Sequence, residues 1–298
     1  MKHHRLDRDG GSVGVLGATS LVGRHLLEQL AAAGRKGVAC SRSAPRAATH
    51  GVSWRVPGSA AATTGSAAAA GERIPDWIAL CPIWAIPEHV TWLESLGIER
   101  LVAVSSQSVI TKRSSPHAAE REIAARLAAA EAAVAEWAAG RHVGLCILRP
   151  TMIYDGVHDG NVAAIASFLA RPPLGLRGFF PVCGPARGLR QPVHADDVAA
   201  ACLAALDHPA PAAMYAISGG EILGYREMVE RIGQARGLPV RIIEIPPVIW
   251  RIAESIARRL GRGHGLPAGA AARMNDDLSC DHVAASRDLG FRPRSFLP

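Results

Sequence analysis

The stretch Val13-Gly14-Val15-Leu16-Gly17-Ala18-Thr19-Ser20-Leu21-Val22-Gly23 constrains this chain most. The apolar run at 12–16 predicts a buried strand, and Gly17-Ala18-Thr19-Ser20 predicts a tight turn. Residues 21–33 predict a helix, with Val22, Leu26, Leu27 and Leu30 on one face and Gly34 just past its end. A strand, a glycine turn and a helix at the start of an α/β chain form a dinucleotide-binding unit. Gly17 permits the turn, Gly23 lets helix and strand approach closely, and the free N–H groups at the helix start face a pyrophosphate. Gly17, Thr19, Ser20, Leu21, Val22 and Gly23 are therefore candidate cofactor contacts. The pattern departs from the usual one at Ser20, where a glycine is expected. A Cβ there crowds the phosphates, while its hydroxyl is able to donate to one.

A second strand at 37–41 ends in Ser41-Arg42-Ser43. An NAD site usually places Asp or Glu here for the ribose 2′-OH. Arg42 instead suits a 2′-phosphate, so NADP is expected, with NAD as the alternative. Further strands are predicted at 52–56, 77–83, 100–106 and 143–148, with helices at 87–96 and 116–139 and a loop or weak helix at 57–71. This alternation specifies a Rossmann-type, doubly wound parallel sheet. Beyond residue 155 the pattern predicts helices at 161–170, 195–206, 225–236 and 247–260, and strands at 213–218 and 240–245. The expected organisation is a dinucleotide-binding domain over 1–155 and a smaller α+β substrate lobe over 156–298, with 191–220 returning to the core. The 247–260 helix places Val248, Ile249, Ile252, Ile256 and Leu260 on one side, a face expected to pack on the lobe. Trp250, Arg251, Arg258 and Arg259 leave a second option, an anionic membrane near a lipid-linked substrate.

With 298 residues, 49% of them hydrophobic, the chain is long enough to bury a large core. Its net charge of +7 is spread along the sequence, without a basic run interleaved with aromatics. Anionic small molecules suffice as a reason for it, and nucleic acid is not an expected partner. The six cysteines contain no C-x-x-C pair, and Cys40, Cys81 and Cys146 fall in apolar strand-like runs, which fits a reducing cytoplasm. No apolar run reaches membrane-spanning length. Asp155, His158 and Asp159 cluster in a predicted loop without helical metal-ligand spacing, so no metal is expected. A G-x-S-x-G elbow is absent, and a hydrolase gains no support.

Five segments, in order, resemble the extended and atypical short-chain dehydrogenase/reductases, the nucleotide-sugar epimerase/dehydratase superfamily. These are the glycine turn, Val104-Ser105-Ser106-Gln107-Ser108-Val109, Leu148-Arg149-Pro150-Thr151-Met152-Ile153-Tyr154, Gln191-Pro192-Val193-His194-Ala195-Asp196-Asp197-Val198-Ala199 and Leu289-Gly290-Phe291-Arg292-Pro293-Arg294. The resemblance implies Ser106 as the family's catalytic serine. It also implies Ser41, Cys81, Pro82, Ile83, Ser105, Pro150 and Thr151 as further cofactor contacts at the strand ends. It implies a small-molecule substrate, a nucleotide sugar or a lipid-linked sugar, and allows a homodimer. Asp196 and Asp197 read as charge at a helix N-terminus.

The family's chemistry uses Tyr-x-x-x-Lys on one helix. This chain has three tyrosines, Tyr154, Tyr215 and Tyr225, and four residues beyond them lie His158, Gly219 and Val229. The pair is therefore missing. If Glu131 matches the family's helix glutamate, the tyrosine and lysine positions are Ile123 and Leu127. Replacement acids are sought among Lys112, Tyr154 and His158 on predicted loops. Two functions are expected in competition: an NADP-dependent oxidoreductase or nucleotide-sugar-modifying enzyme with a nonstandard acid, and a cofactor-holding sensor or assembly subunit without turnover.

Overall fold

The computed structural model describes residues 11–42, 51–57, 73–171, 178–259 and 271–297. The predicted loop or weak helix at 57–71 and residue Ser43 lie mostly or wholly outside these. A seven-stranded parallel sheet forms the centre, in the order β11-β6-β5-β4-β1-β2-β3. Its strands are β1 (Val13–Leu16), β2 (Gly37–Cys40), β3 (Val52–Arg55), β4 (Asp76–Ala79), β5 (Arg100–Val104), β6 (Gly144–Pro150) and β11 (Met214–Ile217). Strands β1 and β2 are buried at every position, as expected for a sheet covered on both faces. Helix α1 (Leu21–Ala32) packs on α6 (Ala195–Asp207) over one face; α4 (Ala118–Gly140) and α2 (Val90–Ser95) contribute to the other. Leu26 and Leu30 of α1 are fully buried, each worth about 1.5–3 kcal/mol.

Glycine at position 14 has a packing reason. Gly14 lies beside Trp77 in the neighbouring β4, and a Cβ there would come within 2.3 Å of the indole ring. The space it leaves holds the Trp77 ring, which is fully buried and donates its indole N–H to the Ile74 carbonyl at 2.7 Å.

Two elements differ from expectation. The strand predicted at 77–83 stops at Ala79, so Cys81 is a loop residue at the sheet's carboxyl edge. The helix predicted at 87–96 divides into a 3-10 turn, Ile83–His89, and α2. Pro87 within that turn has no N–H to continue an α-helical ladder.

Between β6 and β11, and again after β11, the chain builds a lobe. It holds α5 (Val162–Ala170), α7 (Tyr225–Ala235), α8 (Pro247–Arg259) and a parallel pair, β8 (Phe179–Cys183) with β13 (Arg241–Ile245). Three other short strands, β7 (Ile153–Tyr154), β9 (Leu189–Arg190) and β10 (Val193–His194), and a fourth, β12 (Leu223–Gly224), escape periodicity because two residues show none. The lobe core gathers Tyr154, Leu169, Phe180, Val182, Met228, Ile232, Met274 and Phe296. Before that last phenylalanine, α9 (Val283–Leu289) and Phe291 return to the sheet's core.

The packing expected of α8 does not form at Val248, Ile249 and Ile252; the Ile256 side chain and Leu260 lie outside the described residues. Val248, Ile249 and Ile252 are 57%, 56% and 56% exposed, and among the described side chains of α8 Trp250 turns inward, at 9%. The indole buries more apolar area than an aliphatic side chain, and rotating the helix to hide the aliphatics would expose it. Among the described residues no helix is long and apolar enough to cross a membrane.

Candidate active site

The carboxyl edge of the sheet holds two features. The first is the glycine turn at the switch point between β1 and β4, where strand order reverses. Gly17 has φ +74°, and a Cβ on it would lie 2.5 Å from the Cys81 nitrogen. Gly23 faces the Ala18 carbonyl oxygen, which a Cβ would approach to 2.4 Å. Ser20 caps α1, its Oγ accepting the Gly23 N–H at 3.1 Å. The serine in place of glycine thus serves the helix, and its O–H remains able to donate. Among the described residues nothing accepts the N–H groups of Leu21 and Val22. Thr19 and Ser41 hydroxyls lie 3.4 Å apart across the turn. Arg42 follows at the end of β2, exposed. Pro82 is exposed beside the turn, whereas Ile83 is 1% exposed and belongs to the core. Burial pushes the Cys81 thiol up to about 11, so it stays protonated at neutral pH.

The second feature is a cleft of about 610 Å³ between sheet and lobe. Ser106 follows β5, and its Oγ accepts the Ser108 N–H at 3.1 Å, starting the short helix α3 (Ser108–Thr111). Its O–H is left to donate into the cleft that it lines. Lys112, at the end of α3, lines the same wall with Gln107, Ser108 and Thr111. Burial, with Arg273 nearby, pushes the Lys112 ammonium down from its ordinary value. Among the described residues no carboxylate pairs with it. Pro150, the last residue of β6, and Thr151 just after it complete this wall; Thr151 Oγ1 donates to the Gln191 carbonyl at 2.5 Å.

Residues 89–217 match the NAD dependent epimerase/dehydratase family. The match covers less than half of this chain. It contains Ser106, Lys112, Thr151 and β11, the last strand of the sheet. The chain is also 30% identical over 211 residues to the uncharacterized protein y4nG of Sinorhizobium fredii, across 66% of this chain and 50% of the relative. The match thus spans about half the length of that curated relative. In fold the chain is similar to the UDP-glucose 4-epimerase of Thermus thermophilus, solved in complex with NAD, and to RMD of Pseudomonas aeruginosa, solved with NADPH. Each comparison has a TM-score of 0.62, 18% identity, and coverage of 96% of this chain and 95% of the other.

The epimerase/dehydratase resemblance directs attention to α4. Glu131 is 6% exposed and joins three elements: Ser105 Oγ donates to it at 2.5 Å, and Arg149 binds it in a two-pronged ion pair. The Ser105 hydroxyl is therefore committed to Glu131. Leu127 is 5% exposed, in the sheet-side core, and Ile123 is 40% exposed. Neither side chain titrates.

The other candidates fall outside the cleft lining. Tyr154 is 2% exposed and stacks edge-on against His194 and Phe296, with ring centroids 5.2 and 5.0 Å away. Burial raises its phenol. His158 staples a loop: its Nδ1 is 2.9 Å from Asp155, which also accepts the Val157 and His158 N–H groups. Burial acts to raise the Asp155 carboxyl, but those donors outweigh it and hold it at about 2. Asp159 accepts N–H groups from Gly156, Asn161 and Ala163. Among the described residues no group of three or more His, Cys, Asp or Glu is placed to hold a metal ion.

Several lining residues carry no sequence signal for a site. Arg190, Tyr225, Trp250 and Arg273 come from four separate elements and meet only in the fold. Phe168, Phe180 and Met228 read as core residues in sequence because the cleft is walled by the same apolar faces that build the lobe.

Proposed function

We propose that this protein is an NADP-dependent oxidoreductase acting on a small-molecule carbonyl or alcohol, with Lys112 in place of the absent tyrosine. The observation that carries the reading is that Ser106 and Lys112 share one wall of the cleft, at the sheet edge that also bears the glycine turn. The glycine turn fits a dinucleotide: Gly17 takes the positive φ that the tight turn requires close against the Cys81 backbone, and among the described residues nothing accepts the Leu21 and Val22 N–H groups, which leaves them to meet phosphate. Gly17, Thr19, Ser20, Leu21, Val22 and Gly23 would hold the pyrophosphate, Ser41 and Arg42 the adenosine ribose and its 2′-phosphate. Cys81, Pro82, Ser105, Pro150 and Thr151 would flank it, with Ile83 behind. When bound, the nicotinamide supplies or accepts the hydride.

The chain's own groups handle the oxygen. Ser106 Oγ–H donates to the substrate oxygen. Lys112 Nζ passes a proton to that oxygen as carbonyl becomes alcohol, and takes it back in the reverse direction. A lowered ammonium pKa brings this transfer closer to neutral pH. Of the residues after 155, those outside 191–220 would form most of the substrate lobe. The family's usual Tyr-Lys chemistry is absent, so epimerisation or dehydration of UDP- and dTDP-sugars should fall far below ordinary enzyme rates of about 1–10³ s⁻¹.

A second reading, a cofactor-holding sensor, draws on Ile123 and Leu127 at the positions aligned with the pair, since neither moves a proton. One experiment separates the two. The protein is titrated with NADPH and NADH, then challenged with aldehydes, ketones and alcohols while nicotinamide absorbance is followed. NADPH binding with turnover that falls about 10²–10⁴-fold in Lys112→Gln supports the oxidoreductase. Binding with no turnover supports the sensor, and absence of binding to either nucleotide overturns both.

A further inference from the structure

The cleft changes character along its length. At the sheet end stand Ser106, Gln107, Thr111 and Lys112; at the lobe end stand Ile165, Phe168, Phe180, Met228, Trp250 and Met274. Among the described lining residues, both guanidinium groups on the lobe side are already engaged. Arg273 pairs with the buried carboxylate of Glu120. Arg190 donates to the carbonyls of Leu189 and Asp276 at 2.7 Å each and to that of Arg273, and stacks 5.1 Å over the Tyr225 ring. A nucleotide's pyrophosphate requires cations or clustered N–H groups free to receive it. This end offers hydrocarbon and aromatic rings, which favour an apolar body.

Trp250 also links the cleft to an exposed surface, because it projects from α8. On another side of that helix Val248, Ile249 and Ile252 share a face at i, i+1 and i+4, each more than half exposed. Arg251 is exposed beside them, and the helix sequence carries Arg251, Arg258 and Arg259 against one acid, Glu254. An apolar face with arginines on the same short helix has the charge and form of an element lying in an anionic lipid interface.

We propose that the cleft takes an alcohol or carbonyl compound with a long apolar body, and that α8 lies on the anionic bilayer from which this substrate enters. The hydride-transfer reading enters only in placing the reacting oxygen beside Ser106; the apolar subsite and the lipid contact stand on the lining and on α8.

Two cofactor-free measurements test it. In the first, the full chain is titrated calorimetrically with dodecanol and with UDP-glucose. Dodecanol should bind, and Ala164→Trp and Ile165→Asn, both on the cleft wall of α5, should each weaken it about tenfold without lowering the melting temperature. UDP-glucose should not displace it. Displacement by UDP-glucose, or dodecanol affinity unchanged in both variants, overturns the apolar subsite. In the second, the protein is floated with vesicles of phosphatidylcholine, with and without phosphatidylglycerol, at low salt. It should rise with the anionic vesicles, and a Val248→Ser, Ile249→Ser, Ile252→Ser triple variant should stay behind. Failure of the parent protein to float overturns the bilayer contact. Neither readout needs NADPH or turnover, so failure of the oxidoreductase reading leaves both results interpretable, and the reverse holds.

Discussion

Arg42 and Lys112 are single residues on which the proposed chemistry turns. Arg42 stands exposed at the end of β2, where an NAD site usually carries an acid. Arg42→Asp should weaken NADPH by roughly 2–4 kcal/mol through a lost charge-assisted contact and a gained repulsion. NADH affinity should change far less; equal losses in parallel titrations would remove the basis for NADP preference. Lys112 must be protonated to act as an acid in reduction. Its ammonium pKa is lowered by burial and by Arg273, so reduction should decline as pH rises through a value below the ordinary lysine range. That alkaline limb should vanish in Lys112→Gln, and a pH–rate profile identical in both proteins would exclude the role. Ser20 shows how a residue can be half legible. Its departure from the glycine pattern was visible in sequence, but its capping bond to Gly23 depends on the turn that only the folded backbone supplies.

At the scale of elements, the strand–turn–helix of residues 13–32 was legible because each part has its own local signal: apolar run, glycine, apolar stripe. Packing adds a demand the pattern does not show. Gly14 and Trp77 are partners across β1 and β4, far apart in sequence. Gly14→Ala should cost about 1–3 kcal/mol by overpacking the indole, read as a lower melting temperature. The paired variant Gly14→Ala, Trp77→Leu should recover part of that loss if the clash is the cause. Helix α8 was legible as an amphipathic helix, yet its partner was not. A hydrophobic stripe states that a face avoids water, without stating what covers it.

At the scale of the whole molecule, the last residues join sheet and lobe. Phe291 enters the core on one face of the sheet, Phe296 enters the lobe core, and Arg294 lies between them. Its backbone N–H and Nε bind Asp197 at 3.0 and 2.9 Å, and its guanidinium reaches Asp196 at 2.5 Å. Arg294 is 41% exposed, so solvent screens the pair, and Arg294→Ala should cost only about 1 kcal/mol. The cost should depend on pH. Burial acts to raise the Asp196 carboxyl, but Gln29, Arg294 and His25 outweigh it and lower it below its ordinary value. A group lowered in the folded state adds stability above its unfolded pKa and loses it as pH falls through the folded one. The deficit of Arg294→Ala should therefore be full at neutral pH and shrink through the acidic carboxylate range in denaturant titrations. A deficit independent of pH would mean that the contact acts through packing alone.

The sequence by itself determined the α/β class, the succession of the main strands and helices along the chain, the glycine turn and the absence of a Tyr-x-x-x-Lys pair, because each is written in neighbouring residues. Tertiary structure decided what those residues face. It brought Ser106 and Lys112 onto one wall, enclosed Tyr154 between His194 and Phe296, and spent the charges of Arg190 and Arg273 on carbonyls and Glu120. It also turned Trp250 inward while leaving Val248, Ile249 and Ile252 in the open. The physical reason is range: backbone conformation follows from local sterics and periodicity, whereas burial, pairing and access depend on residues that meet only after the chain has closed on itself.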